Sequence, residues 1–144
     1  VDGADLKKGT AGEVVGSNLT DVGVAPDGAS LYSASGSRDH VEAFATGDLA
    51  GRGSYRTGAF PNATAASPDG KHVATARRTG MEDDVRIYKV GGATPVREYD
   101  LGSGVTAAPR GLAWSAACDD LFVITDTAGD TRPELRVFHH PTGW

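Results

Sequence analysis

The chain has 144 residues, a formal net charge of −5, 23% charged residues and 20 glycines. That length suits one domain with a real core, and the acidic balance argues against a general nucleic-acid binder, whose footprint is a basic face. No apolar run approaches the roughly 20 residues needed to span a bilayer, and the lone Cys118 permits no intrachain disulfide.

In chain order, the first predicted element is a short strand near 11–15. Residues Val22–Ser35 read VGVAPDGASLYSAS, two strands near Asp21–Ala25 and Ser30–Ala34 about the turn Pro26-Asp27-Gly28. In such a turn Pro presets φ, Asp can close an Asx-turn and Gly accepts positive φ. Strands near His40–Ala45 and Ser54–Thr57 follow. The pattern returns at Thr64–Arg77, TAASPDGKHVATAR, with strands near Ala63–Ser67 and His72–Ala76 about Pro68-Asp69-Gly70. Strands near Asp84–Lys89 and Arg97–Leu101 complete that copy. The third copy, Leu112–Asp126, reads LAWSAACDDLFVITD; its turn, Ala116 to Asp120, reads as one residue longer and without the Pro-Asp-Gly chemistry. Its strands fall near Gly111–Ser115, Leu121–Thr125 and Leu135–His139.

Units of roughly 40–50 residues built from short strands are the signature of β-propeller blades. The expected fold is all-β, with blades over residues 20–58, 62–102 and 110–140, the last lacking its outermost strand. Glu13-Val14-Val15-Gly16 precedes Val24 as Tyr55-Arg56-Thr57-Gly58 precedes Ala66, so the strand at 11–15 stands in the outermost-strand position of a permuted blade. Three blades close too tight a ring, since natural propellers have about four to eight. An open arc would expose two apolar blade faces, which invite association. Two readings remain: a homodimer that closes a six-bladed ring by exchanging N-terminal strands, or part of a longer propeller. The chain begins at Val1 rather than Met, so loss of an upstream segment is expected.

The turns Ala25-Pro26-Asp27-Gly28 and Ser67-Pro68-Asp69-Gly70, each followed by an alternating strand, and the Val-x-x-Phe/Tyr pattern of the third strand resemble the bacterial YVTN-type, TolB-like and lactonase-type β-propellers. The resemblance covers about Thr20 to His140. It is specific for fold and poor for activity, because this turn occurs in enzymes, scaffolds and envelope proteins alike. It is compatible with a secreted or extracytoplasmic bacterial protein. It also implies that ligands bind near the axis, on the face carrying the loops that lead into each innermost strand.

Aligning the innermost strands sets Thr20, Asn62 and Arg110 at equivalent positions around that axial mouth. Arg110 suits a carboxylate or phosphate, which a guanidinium grips with two parallel hydrogen bonds; the bland alternative is pairing with Asp126 or Asp130. The loops between the second and third strands lengthen along the chain, which adds Arg77 and Asp126 as candidate ligand contacts. The two N-x-T matches, at Asn18 and Asn62, fit a glycosylation sequon that is common by accident. No metal site is expected. Asp126 to Asp130 lacks the alternating acidic ligands of a calcium loop, and His139 and His140 point to opposite faces of a strand. No G-x-S-x-G elbow is present, and no cofactor is implied. Phe44, Tyr88 and Phe138 recur at one strand position and should pack between neighbouring blades, with Trp114 in the same layer.

These features favour a non-catalytic propeller scaffold or recognition module that binds a protein or a small polar ligand at its axial loop face. The alternative is a lactonase-type or other hydrolase using polar axial residues with a metal.

Overall fold

The computed structural model describes residues 17–78, 83–127 and 132–143. The strand expected at 11–15 lies outside them. Alternating apolar residues and tight turns build eleven strands among the described residues. The first antiparallel sheet is β1 (Leu19–Val24), β2 (Ser30–Ser35), β3 (His40–Ala45) and β4 (Gly51–Arg56). The second is β5 (Pro61–Ala66), β6 (His72–Arg77), β7 (Val85–Lys89) and β8 (Pro95–Tyr99). The third holds β9 (Val105–Trp114), β10 (Asp120–Thr127) and β11 (Leu135–His139). Each sheet is a meander of sequential strands, and β1, β5 and β9 lie side by side at the inner edge. The chain is therefore all-β and forms three propeller blades.

The turns corrected one reading. Gly28 N–H donates to Ala25 O at 2.8 Å, Gly70 N–H to Ser67 O at 2.9 Å, and Cys118 N–H to Ser115 O at 3.0 Å. All three turns thus have the same length, with no inserted residue in the third. Cys118 takes φ 63°, close to Gly28 at 70° and Gly70 at 71°, so the third copy keeps the conformation without the glycine. Ser115 Oγ accepts from Asp120 N–H at 3.0 Å, as Ser67 Oγ accepts from His72 N–H at 2.9 Å. That side-chain clamp helps hold a turn whose φ costs a non-glycine residue free energy.

Strand pairing gives every blade a leading face, toward the preceding blade, and a trailing face, toward the next. Between the first two blades, Tyr32, Ala34, Val41, Ala43 and Tyr55 pack against Val73 and Tyr88. Between the second and third, Ala74, Ala76, Val85 and Ile87 pack against Leu121 and Val123, with Phe138 and Trp114 at the edge. The outermost-strand tyrosine of each complete blade meets the β7 or β11 aromatic of the next. Tyr55 and Tyr88 have centroids 5.4 Å apart, and Tyr99 stacks on Phe138 at 4.1 Å. Arg86 and Arg136, at equivalent register positions, reach back to Arg56 O at 3.3 Å and Leu101 O at 2.6 Å. Phe44, expected between blades, lies instead on the leading face of the first blade, where no preceding blade is present among the described residues.

Candidate functional site

The three residues aligned at the axial mouth sit at one structural feature, a bulge in each innermost strand. Leu19 pairs with Ser35 and Asp21 with Ala34, which leaves Thr20 as the extra residue. Pro61 pairs with Arg77 and Ala63 with Ala76, which leaves Asn62. In β9, Ala107 pairs with Thr125 and Leu112 with Val123, so the bulge there runs through Ala108–Gly111 and contains Arg110. The third bulge is longer than its two predecessors. Gly111 is required inside it, because a Cβ at that position would meet Ala108 O at 2.7 Å and Ile124 O at 2.8 Å. Bulges of this kind re-aim a side chain relative to its strand.

The first two bulge residues tie blade to blade. Thr20 Oγ1 lies 3.0 Å from Pro61 O and 3.2 Å from Ala34 O, so its one proton is directed at these carbonyls. Asn62, 2% exposed, donates through Nδ2 to Ala107 O at 2.6 Å. Its side chain has no room for a glycan, so the second sequon match is accidental. Asp21 Oδ2 accepts from Thr64 N–H at 2.9 Å, and Trp114 Nε1–H donates to Ala65 O at 3.1 Å. These polar groups form a seam across the inner strands.

Arg110 differs. It is exposed, with φ 58°, and no ion pair involves it among the described residues. With Thr20, Asp21 and Ser33 it lines a cavity of about 390 Å³, whose apolar wall is Leu19, Val22, Leu31, Phe44 and Leu49. That wall is the leading face of the first blade.

The remaining candidates lie elsewhere. Arg77 is 8% exposed and its Nε lies 3.5 Å from Asp84 Oδ1; Asp84 Oδ2 also accepts from Leu101 N–H at 2.9 Å. This is a buried pair between strands of the second blade, with Arg77 one strand out from the bulge, opposite Pro61. Asp126 is exposed on β10, which extends further than expected, through Thr127; its carbonyl accepts from Thr106 Oγ1 at 3.4 Å. Asp130 lies outside the described residues. Among the described residues no three of His, Cys, Asp and Glu come together as a metal site, and no helix is long and apolar enough to cross a membrane.

Reading the sequence missed two inter-blade ties, Asp21 to Thr64 and Trp114 to Ala65. Asp21 stands where the other two copies carry Ala63 and Gly111, so no recurrence marked the first tie, and an indole donor leaves no trace in strand periodicity.

No protein-family model matches the chain, and no curated protein is similar to it in sequence. Solved structures are similar. Hydrazine synthase from Kuenenia stuttgartiensis matches with a TM-score of 0.71 and 24% identity, over 84% of this chain and 34% of that one. Hsv2 from Kluyvelomyces marxianus matches with a TM-score of 0.57 and 14% identity, over 75% of this chain and 36% of that one. A KlHsv2 variant with loop 6CD replaced by a Gly-Ser linker gives a TM-score of 0.57 at 15% identity, over 76% and 36%. These are β-propeller proteins, so the likeness establishes the fold. The chain spans about a third of the length of the chains it matches.

Proposed function

We propose that this chain is a non-catalytic β-propeller recognition module, and that Arg110 holds the carboxylate or phosphate group of a small polar ligand at the axial end of the blades. The observation that carries this reading is the state of Arg110 itself. It is exposed, free of ion pairs among the described residues, and lifted out of the innermost strand by a bulge that Gly111 makes possible. A guanidinium presents a planar fork of donors that matches a carboxylate or phosphate with two parallel bonds. Thr20 and Asp21 line the same cavity but, like Asn62, serve the seam, so the anion contact falls to Arg110.

Titration calorimetry with succinate, citrate and inorganic phosphate tests the reading at low ionic strength. At least one of these anions should bind the wild-type chain. Arg110→Ala should weaken it by tenfold or more, as expected when hydrogen bonds to a charged group, about 1.5–3 kcal/mol, are lost. Arg110→Lys should recover only part, because an ammonium lacks the fork. Binding by none of the three anions, or binding unchanged in Arg110→Ala, would overturn it.

The axial mouth needs further blades around it, since three are fewer than natural rings contain. In this proposal they come from a second copy of the chain or from the remainder of a longer propeller.

A further inference from the structure

We infer that a cavity between the loops of the first two blades binds a free aromatic α-amino acid, with its ring on Phe60, its carboxylate on Arg38 and its ammonium on Asp39. The inference goes beyond the reading of Arg110, because this cavity shares no lining residue with the one at Arg110.

The cavity has about 460 Å³ and is lined by residues 36–40, Ala59 and Phe60. Sites for small molecules span about 300–1,000 Å³. One wall is the loop from β2 to β3, and the other is the segment that leads from β4 into β5. Asp39 O accepts from Thr57 N–H at 2.9 Å and from Gly58 N–H at 3.0 Å, which joins the two walls. Both walls are described internal stretches of the chain, so the fold itself makes the cavity.

Phe60 is the residue the fold does not explain. It is 50% exposed at φ 59° and meets no other ring among the described residues. A bulky side chain at positive φ is an outlier that costs free energy, and such outliers gather at ligand sites. Asn18 holds the same position one blade earlier, at φ 57°. Its carbonyl accepts from Gly36 N–H at 2.9 Å, as Phe60 O accepts from Arg78 N–H at 2.9 Å. Asparagine meets this backbone demand at lower cost. The turn therefore gains nothing from a phenylalanine, and the ring is left at the cavity wall to stack on a second ring.

The charged groups specify the rest of the ligand. Arg38 is exposed, and no ion pair involves it among the described residues. Its backbone is fixed by Arg38 N–H donating to Ser35 O at 3.0 Å. Asp39 follows it in the same wall, and His40 Nδ1–H donates to Asp39 Oδ1 at 2.8 Å, which orients the carboxylate. A cation and an anion thus line one cavity without pairing with each other. A simple anion would suit Arg38 but face Asp39, and a simple cation the reverse. A zwitterion satisfies both, with its carboxylate on the guanidinium fork. An α-amino acid is such a zwitterion at neutral pH, and Phe60 selects the aromatic ones.

Titration calorimetry of the full chain with L-tryptophan tests this. Wild type should bind it. Phe60→Ala should weaken binding about tenfold, the upper end of what a ring pair contributes. Arg38→Gln and Asp39→Asn should each weaken it by about tenfold or more, as hydrogen bonds to charged groups are lost. Both change exposed side chains, and asparagine keeps an acceptor for His40, so circular dichroism should stay β-type. Tryptamine, which lacks the carboxylate, and indolepropionate, which lacks the ammonium, should each bind more weakly than tryptophan by a similar factor. Absence of tryptophan binding, unchanged binding in Phe60→Ala, or indolepropionate as tight as tryptophan would each overturn the inference. Binding that survives Arg38→Gln but is lost in Arg110→Ala would put the carboxylate at the other arginine and overturn it too. A failure here is thereby read apart from a failure of anion binding at Arg110.

Discussion

Asn62 donates its side-chain amide to the carbonyl of Ala107 across 2.6 Å, from the bulge of one innermost strand to the edge of the next. Thr20 does the same to Pro61 at 3.0 Å. Pro61 and Ala107 hold the same register position, paired with Arg77 and Thr125. The bulge residues of the first two blades thus each bind the following blade, and inter-blade geometry is set by directed hydrogen bonds as well as by apolar packing.

Asn62→Ala should therefore destabilise the chain by about 1–3 kcal/mol, since it leaves the buried Ala107 carbonyl without that donor. Asn62→Asp should be worse, because a carboxylate would face a carbonyl oxygen. Urea unfolding measures both. Equal stability in Asn62→Ala and wild type would remove the seam from the account.

Tyr55 is 4% exposed between two other rings, 6.0 Å from Tyr32 and 5.4 Å from Tyr88, and its hydroxyl accepts from Gly91 N–H at 3.1 Å. Removing only the hydroxyl in Tyr55→Phe should cost about 0.5–1.5 kcal/mol. Removing the ring in Tyr55→Ala should cost about 3–5 kcal/mol, from lost burial and a cavity between blades. Comparable losses in the two variants would mean that the hydroxyl rather than the ring holds this junction.

Gly111→Ala should lower stability by about 1–3 kcal/mol, because the new methyl meets two carbonyl oxygens and the backbone must shift. Arg110 sits on the same bulge, so anion binding should weaken with it. Thermal unfolding and titration of the same sample separate the two effects. Unchanged stability would show that the bulge relaxes freely.

Burial lowers the pKa of His72 below its ordinary 6.5, with Lys89 and Lys71 acting in the same direction and Asp69 opposing them. A depressed folded-state pKa means that the unfolded chain binds more protons as the pH falls through 6.5. Stability should then decline as the pH is lowered from above that value. His72→Gln should remove this part of the slope, so the variant gains on wild type between about pH 7 and pH 5.5. Parallel melting-temperature profiles for the two proteins would refute the assignment.

Much of this protein was legible from local rules. A strand with one face on a core alternates apolar and polar residues, and a Pro-Asp-Gly turn reverses the chain whatever surrounds it. The meander, the boundaries of β3 and β11 and the three-blade arc follow from such short-range signals. Thr20, Asn62 and Arg110 were also brought to one level of the fold by alignment alone.

Tertiary structure decided what those residues do there. Thr20 and Asn62 carry polar hydrogen at the same bulge as Arg110, yet theirs is directed at a neighbouring blade. The longer bulge of β9 leaves Arg110 exposed, and the pairing with β10 that sets its length does not show in a gap-free alignment. Arg77 reads as a loop charge by position, but Asp84 lies within ion-pairing distance once the strands pair. Cys118 takes the turn conformation of Gly28 and Gly70 within the hydrogen bonds of its own sheet. Sequence periodicity determines which face of a strand is apolar. Whether that face is covered depends on what packs against it, and this is why Leu135 and Val41, equivalent in pattern, differ from 67% to 0% in exposure.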